Sequence, residues 1–166
     1  TETAILYAAK AQNISFDSEE YIRRYENPFS GERKRMSVIC TVNGENLLLI
    51  KGAPDVILPR CSQFVSSGGT MPLTANRRNE IMRINEDMAG KALRVIAVAY
   101  RAVQSVGDSG EENLVFAGLI GMTKALAKER PHLLKATIIG TFSEYVRACS
   151  VPAKSEMLLE NPALLI

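Results

Sequence analysis

Residues 36–50 read MSVICTVNGENLLLI and predict the element around which the rest of the chain folds. Two runs rich in β-branched and aliphatic residues, 36–42 and 46–50, flank Asn43-Gly44-Glu45. An Asn-Gly pair between two such runs is the strongest short-range signal of a β-hairpin. We therefore expect an antiparallel hairpin that residues 29–34 enter and Lys51 leaves, so that these two segments become neighbours at its open end.

Helical and extended stretches alternate on both sides of this hairpin. Residues 1–11 have helix propensity, and residues 13–27 are typical of a solvated strand or loop. Pro54 suits the first position of a short helix reaching Cys61, with a disturbance at Pro59. The remaining predictions are a turn over 66–70, a helix capped by Thr74 and reaching Lys91, a strand over 93–100, an acidic loop over 105–112 and a strand over 114–120.

Length and composition exclude several classes of protein. A chain of 166 residues with 46% hydrophobic and 23% charged residues is typical of one globular domain. The net charge of +2 is too small for a nucleic-acid footprint, and no apolar run is long enough to span a membrane or resembles a signal peptide. Three cysteines, Cys40, Cys61 and Cys149, show no metal-binding spacing and are expected to be reduced thiols, with Cys40 inside a strand.

The two segments at the open end of the hairpin carry the chemistry of nucleotide binding. Residues 29–38 place Phe29 beside a cluster of cations, and Lys51 precedes Gly52 on a turn after an apolar run. An aromatic face can stack on a base, and a glycine lets a bulky ligand approach the backbone closely. These residues therefore predict a pocket for a flat base with an anionic tail.

The same residues belong to a pattern that resembles the nucleotide-binding domain of P-type cation-transporting ATPases, closest to type II calcium-pump-like members. The matching stretches are 1–4, 29 with 32–38, 51–55, 71–74, 93–101 and 116–122. The resemblance implies an α+β fold, an antiparallel sheet flanked by helices, with or without the first strands of the family's sheet. It covers residues 1–122, and residues 123–166 are expected to be a helical extension that packs on the domain or mediates association.

The resemblance also implies a role for each candidate site residue. Phe29 would stack on the adenine of ATP, and Glu2 would lie at the purine edge. Lys34 and Lys51 would line the pocket and meet the phosphates, whereas Arg94 would clamp a phosphate further out. The nucleotide-binding set implied in this way is Glu2, Phe29, Lys34, Lys51, Gly52 and Arg94, with no catalytic or metal-ligating residue.

Each candidate residue also has an interpretation that involves no ligand. Phe29 could be a core aromatic, and Lys34 with its neighbouring arginines could form a solvated face. Arg94 could belong to a structural ion pair, and Glu2 could favour a helix N-terminus. For Lys51 the pocket is favoured over a surface position, because the lysine follows four apolar residues and precedes Gly-Ala-Pro.

Departures from the family pattern limit the activity expected of this chain. Gly31 stands where calcium-pump-like relatives often carry a cation or a small polar residue, and neither a phosphorylated-Asp signature nor an Asp-Pro hinge follows Met122. The resemblance therefore implies a domain that binds ATP weakly, with Mg²⁺ only as the nucleotide complex, and does not hydrolyse it alone. Its partners would be the phosphorylation and membrane domains of a parent pump, on the cytoplasmic side of a membrane.

Two other classes of protein compete with this interpretation. A truncated, non-catalytic interaction module could retain the fold without useful nucleotide binding. A free-standing kinase or ATPase is disfavoured, because the sequence has neither a Walker-type phosphate loop nor an acidic magnesium site.

Overall fold

The structure is a computed structural model, and it describes residues 22–42, 44–66, 69–123 and 137–139. Glu2, Cys149 and the helix predicted over residues 1–11 lie outside the described residues, as does most of the expected C-terminal extension.

Eight strands form one sheet within this part of the chain. In chain order the elements are β1 (Ile22–Asn27), β2 (Arg35–Val42), β3 (Glu45–Gly52), α1 (Pro54–Ile57), a 3-10 helix (Leu58–Arg60), β4 (Cys61–Ser66), β5 (Gly69–Pro72), α2 (Ala75–Gly90), β6 (Leu93–Val103), β7 (Leu114–Thr123) and β8 (Thr137–Ile139). The order across the sheet is β1-β2-β3-β6-β7-β4-β5, and β8 pairs with β7.

The predicted hairpin is confirmed as β2 and β3. Their register runs without interruption from Arg35 opposite Gly52 to Val42 opposite Glu45. Gly44 has a φ of +82°, a conformation that glycine adopts at little cost and that this tight connection requires. β3 also pairs with β6, so the hairpin lies inside the sheet and its open end is fixed by a neighbour on each side.

The α+β class is confirmed, but the sheet is not wholly antiparallel as expected. β4 runs parallel to β7, whereas every other described pair is antiparallel. Parallel neighbours need a long crossover connection. Here β5, α2 and β6 all lie between β4 and β7 in the chain and supply that connection.

The two helices predicted between residues 54 and 91 are confirmed with adjusted ends. Thr74 caps α2, because its side-chain oxygen accepts a hydrogen bond from the backbone N–H of Arg77 at 3.3 Å. The short helix after Gly52 begins at Pro54 and tightens into 3-10 geometry over Leu58–Arg60, around Pro59. Cys61, expected as the last helical residue, is the first residue of β4 instead.

Two segments differ from the predictions made from sequence. The turn expected over 66–70 is shorter, since β4 continues to Ser66 and β5 begins at Gly69. All four β5 residues are exposed, so no alternation of apolar and polar residues marks this strand in the sequence. Within the expected helical extension, Thr137–Ile139 pair with β7 as a strand, which places backbone groups on an edge that β4 leaves open.

The main core lies between one face of the sheet and the described helices. Its strand residues include Ile39, Leu48, Ile50 and Ala99, and its helical residues are Ile57, Leu58, Ile81 and Met88. A smaller apolar cluster around Leu49 and Tyr100 lies on the opposite face. No helix among the described residues is long and apolar enough to cross a membrane. The central strands are thus held by packing on both faces.

Candidate functional site

Residues 28–34 connect β1 to β2 in a turn that is closed by its own hydrogen bonds, and this turn is named the binding turn because it carries the candidate residues Phe29 and Lys34. The backbone N–H of Lys34 donates to the carbonyl of Ser30 at 2.8 Å, and the backbone N–H of Arg33 donates to Oγ of Ser30 at 3.1 Å. Within this turn the Phe29 side chain is 58% exposed. Phe29 is therefore not a core aromatic, and its ring is accessible to a planar partner.

The binding turn is attached to the end of β3. The carbonyl of Lys34 accepts a hydrogen bond from the backbone N–H of Ala53 at 3.0 Å. Lys34 itself has a φ of +52°, a left-handed conformation that costs a residue with a Cβ on the order of 1–3 kcal/mol. The backbone thus brings Lys34 next to the segment that contains Lys51 and Gly52, as expected.

Gly52 lies tightly against Lys34 and Arg35. A Cβ at Gly52 would lie 2.6 Å from the carbonyl oxygen of Lys34, 2.6 Å from Cβ of Arg35 and 2.9 Å from Cα of Arg35. Two of these three atoms belong to the backbone, which cannot move aside as a flexible side chain can. Glycine is required at this position for the binding turn to lie on β3.

Lys51 lies beside a small cavity on the face of the sheet opposite the main core. Strand pairing places Lys51 opposite Met36 on one side and opposite Val98 on the other. The cavity has a volume of about 110 Å³, and its lining is formed by Arg23, Met36, Ser37, Val38, Leu49, Ile50 and Lys51. This volume holds part of a ligand rather than a whole nucleotide. A lining that combines apolar side chains with two cations, Arg23 and Lys51, suits a flat group that carries an anionic tail.

Arg94 shares the face of Lys51 but lies further along the sheet. Val98 pairs with Lys51, and side chains alternate along a strand, so Arg94 and Ile96 are on the same face as Val98. Gly52 pairs with Ala97, which leaves Arg94 about 10 Å beyond the end of the β3 ladder at ~3.3 Å per residue. Arg94 is exposed, and within the described residues it forms no ion pair. The structural ion pair considered for Arg94 is therefore not found in the described part of the chain.

The arginines that flank Lys34 do not form a solvated face. Their side chains are only 24% exposed for Arg33 and 17% exposed for Arg35. Both pair with Glu111, whose carboxylate oxygens lie 2.5 Å from Nη2 of Arg33 and 2.5 Å from Nε of Arg35. Ser37 adds a third hydrogen bond, from Oγ to Glu111 at 2.7 Å.

Glu111 is the residue that sequence reasoning missed. It lies in the β6–β7 loop, residues 104–113, where the acidic stretch was interpreted only as a loop. Its three partners are 74 to 78 positions away in sequence, so no local spacing links them. The available signal was the presence of an acid-rich segment in the same chain as a run of arginines.

The environment of Glu111 favours its charged form. Burial acts to raise the pKa of Glu111, but hydrogen bonds from Ser37, Arg35 and Arg33 outweigh it and hold the pKa below its usual value. The carboxylate is therefore ionised at neutral pH and neutralises part of the charge of the two guanidinium groups.

The stability of the fold should depend on the ionisation of Glu111. Because its pKa is lower in the folded state, the carboxylate stabilises the fold fully above the ordinary pKa of 4.5, and this contribution is lost as pH falls through the folded pKa. Replacing Glu111 by glutamine should lower the free energy of unfolding by about 1–2 kcal/mol near neutral pH. Urea unfolding of both proteins down to about pH 3 should show this difference shrinking below the ordinary pKa. A difference that stays constant into acid would contradict the prediction.

Comparison with known proteins gives the class to which this arrangement belongs. The family described as P-type ATPase, cytoplasmic domain N, matches residues 1–129, which includes every candidate site residue. The chain therefore belongs to the P-type ATPases, as a cytoplasmic N domain.

Several relatives of the chain are calcium-transporting ATPases, which places it close to the calcium pumps. Calcium-transporting ATPase 1 of Bacillus cereus is 38% identical over 127 residues, 74% of this chain and 14% of the relative. Calcium-transporting ATPase type 2C member 2 of Mus musculus is 32% identical over 127 residues, 74% of this chain and 12% of the relative. Calcium-transporting ATPase PAT1 of Dictyostelium discoideum is 33% identical over 184 residues, 98% of this chain and 16% of the relative. The chain thus spans a small fraction of each relative, and the last alignment extends beyond residue 123.

Proposed function

We propose that this chain is the ATP-binding domain of a cation pump, most closely a calcium pump, and that it presents ATP to a phosphorylation domain elsewhere in the parent protein. One observation carries the proposal: an exposed Phe29 and a cationic Lys34 lie in one turn that is hydrogen-bonded to Ala53, the residue that follows Lys51 and Gly52. A stacking surface and two cations at one end of a hairpin match the two halves of a nucleotide, its base and its phosphates.

Each residue has a distinct task in this proposal. Phe29 stacks on adenine, and Lys51, at the edge of the cavity, attracts the anionic part of the nucleotide. Gly52 keeps the backbone close to Lys34, so that both lysines stay at the same end of β3. Arg94, on the same face and further along β6, suits a more distant phosphate, and its planar fork can grip two oxygens at once. Glu2 is proposed for the purine edge on the family resemblance alone.

The residues of this chain bind and orient the nucleotide. When Mg²⁺-ATP is bound, the nucleotide supplies the γ-phosphoryl group that passes to an aspartate of the parent pump's phosphorylation domain. Positioning and charge neutralisation are the contributions expected from an N domain, so we expect the isolated chain to bind ATP weakly and not to hydrolyse it.

An ATP titration with a lysine variant tests the role of the pocket. Replacing Lys51 by alanine removes the cation at the cavity edge and should weaken ATP binding about tenfold, since a charge-assisted contact is worth on the order of 1.5 kcal/mol. The measurement is amide NMR of the full chain during titration with ATP to millimolar concentration. Replacing Lys91, an exposed lysine after α2, by alanine is the matched control and should leave the affinity unchanged.

The outcome of this titration decides the proposal. Shifts clustered at Phe29, Lys34 and Lys51 in the wild type, and weakened only in the Lys51 variant, would support ATP binding at this end of the hairpin. A folded wild-type chain with no shifts at millimolar ATP would contradict it and favour the interaction module. Equal affinity of wild type and the Lys51 variant would place the nucleotide elsewhere.

A further inference from the structure

Glu111 links the β6–β7 loop to the binding turn. Its side chain is 9% exposed and accepts hydrogen bonds from Arg33, Arg35 and Ser37. A largely covered carboxylate that accepts hydrogen bonds from two guanidinium groups is held in one geometry, because displacing it would leave partly buried charges without partners. The cluster is therefore a rigid point of attachment rather than a surface ion pair.

Arg33 connects Glu111 to the residues on both sides of Phe29. Through Nη1 it donates to Oδ1 of Asn27 at 2.6 Å and to the carbonyl of Pro28 at 3.0 Å. Its backbone N–H is bonded to the side chain of Ser30. The residues immediately before and after Phe29 are thus both bonded to Arg33, and Arg33 is held by Glu111.

Arg35 connects Glu111 to the backbone beside Lys34. Nη1 of Arg35 donates to the carbonyl of Arg33 at 3.2 Å, and Arg35 pairs with Gly52 across the hairpin. Lys34, between the two arginines, has the left-handed φ of +52°. A conformation of this kind persists only when its surroundings hold it, and here both neighbouring side chains end on the same carboxylate.

The β6–β7 loop is itself bonded to the rest of the fold, and these bonds fix the position of the Glu111 backbone. Arg101 in β6 binds both carboxylate oxygens of Asp108, at 2.8 and 3.0 Å, and donates to the carbonyl of Gly110 at 2.7 Å. On the other side of Glu111, Glu112 pairs with Arg60. The loop is thus bonded to the protein before and after Glu111.

We propose that Glu111 is a positioning residue for nucleotide binding: through Arg33 and Arg35 it holds residues 28–34 in the conformation that presents Phe29 and Lys34 together. This inference rests on the proposed function, because it assigns Glu111 to the same site. Glu111 acts through the arginines and does not itself contact the nucleotide.

Replacing Glu111 by glutamine tests this role at nearly constant shape. We expect the full-length chain carrying Glu111→Gln to bind ATP about tenfold more weakly than the wild type, at a temperature where both remain folded. Without ligand, its amide signals for Phe29 and Lys34 should move, whereas those of α2 should stay in place. A merely structural role would lower the melting temperature and leave the ATP affinity of the folded protein unchanged.

Glu86 provides the matched control for charge. It is exposed in α2 and takes no part in the contacts of Glu111. Glu86→Gln removes the same charge and should change the ATP affinity less than twofold. A tenfold effect in the Glu86 variant as well would show that net charge, not positioning, is responsible, and would overturn the inference.

Arg33→Lys distinguishes the hydrogen-bond geometry of Arg33 from its charge. It also tests the positioning role if the Glu111→Gln protein does not fold. Lysine keeps the positive charge but lacks the fork that reaches Glu111, Asn27 and Pro28 at once. It should reproduce the loss of affinity, and the double variant should lose little more than either single one, since both break the same link. Wild-type affinity in Arg33→Lys or in folded Glu111→Gln would overturn the positioning role alone. Absence of ATP binding in the folded wild type would instead contradict the proposed function.

Discussion

Phe29→Ala should weaken ATP binding about 5- to 150-fold, because stacking of a base on an aromatic ring contributes roughly 1–3 kcal/mol. The ring is 58% exposed, so its removal leaves no cavity in the core and the fold should be retained. Calorimetric titration of both proteins with ATP measures the affinity, and thermal unfolding of each shows that the variant is folded.

Two further variants make the Phe29 result specific. Phe29→Trp keeps a stacking surface and should retain most of the affinity. Tyr25→Ala removes another exposed aromatic, 37% exposed in β1, and should have little effect. Equal ATP affinity of wild type and folded Phe29→Ala would exclude stacking by Phe29.

Gly52→Ala should affect the fold and the site together. The added Cβ would lie 2.6 Å from the Lys34 carbonyl and 2.6 Å from Cβ of Arg35, so the end of the β2–β3 ladder must open. Overpacking of this kind typically costs 1–3 kcal/mol, and we expect about 3 kcal/mol because backbone atoms must move. The displaced binding turn would also separate Lys34 from Lys51, so ATP binding should be lost at millimolar concentration. Urea unfolding and an ATP titration measure the two effects.

Gly31→Ala is the matched control for the glycine variant. Gly31 lies in the same turn, yet a Cβ there would have no heavy atom within 4 Å. This variant should keep both the stability and the affinity of the wild type. A Gly52→Ala protein as stable as Gly31→Ala would contradict the close approach seen at Gly52.

Much of the central fold could be predicted from sequence, because the residues that specify each element lie within or next to that element. The Asn-Gly pair of the β2–β3 hairpin and the Thr74 cap of α2 each lie within a few residues of the structure they specify. The same holds for Lys34 and Lys51, which the hairpin necessarily brings to one end. The parallel pairing of β4 with β7 depends instead on contacts between distant segments, and the exposed β5 has no apolar pattern.

The candidate site shows the same division between local and distant signals. The exposure of Phe29 and the partial burial of Arg33 and Arg35 could not be predicted from the run of charged residues, since a solvated face can have the same sequence. The contacts with Glu111 distinguish partly buried arginines from a solvated face, and the position of Glu111 depends on the completed sheet. The roles of Glu2, Phe29, Lys34, Lys51, Gly52 and Arg94 in binding ATP stay predictions that the titrations decide.

The distant attachment of the binding turn has a consequence for the order of folding. The hairpin can close early because its partners are neighbours in sequence, whereas the Glu111 contacts span 74 to 78 positions and need the loop that follows β6. Loop closure over that length is slow compared with formation of a hairpin. During synthesis, the residues proposed to meet the nucleotide would therefore be made long before they are held in place, and the proposed ability to bind ATP would be among the last properties that the nascent domain acquires.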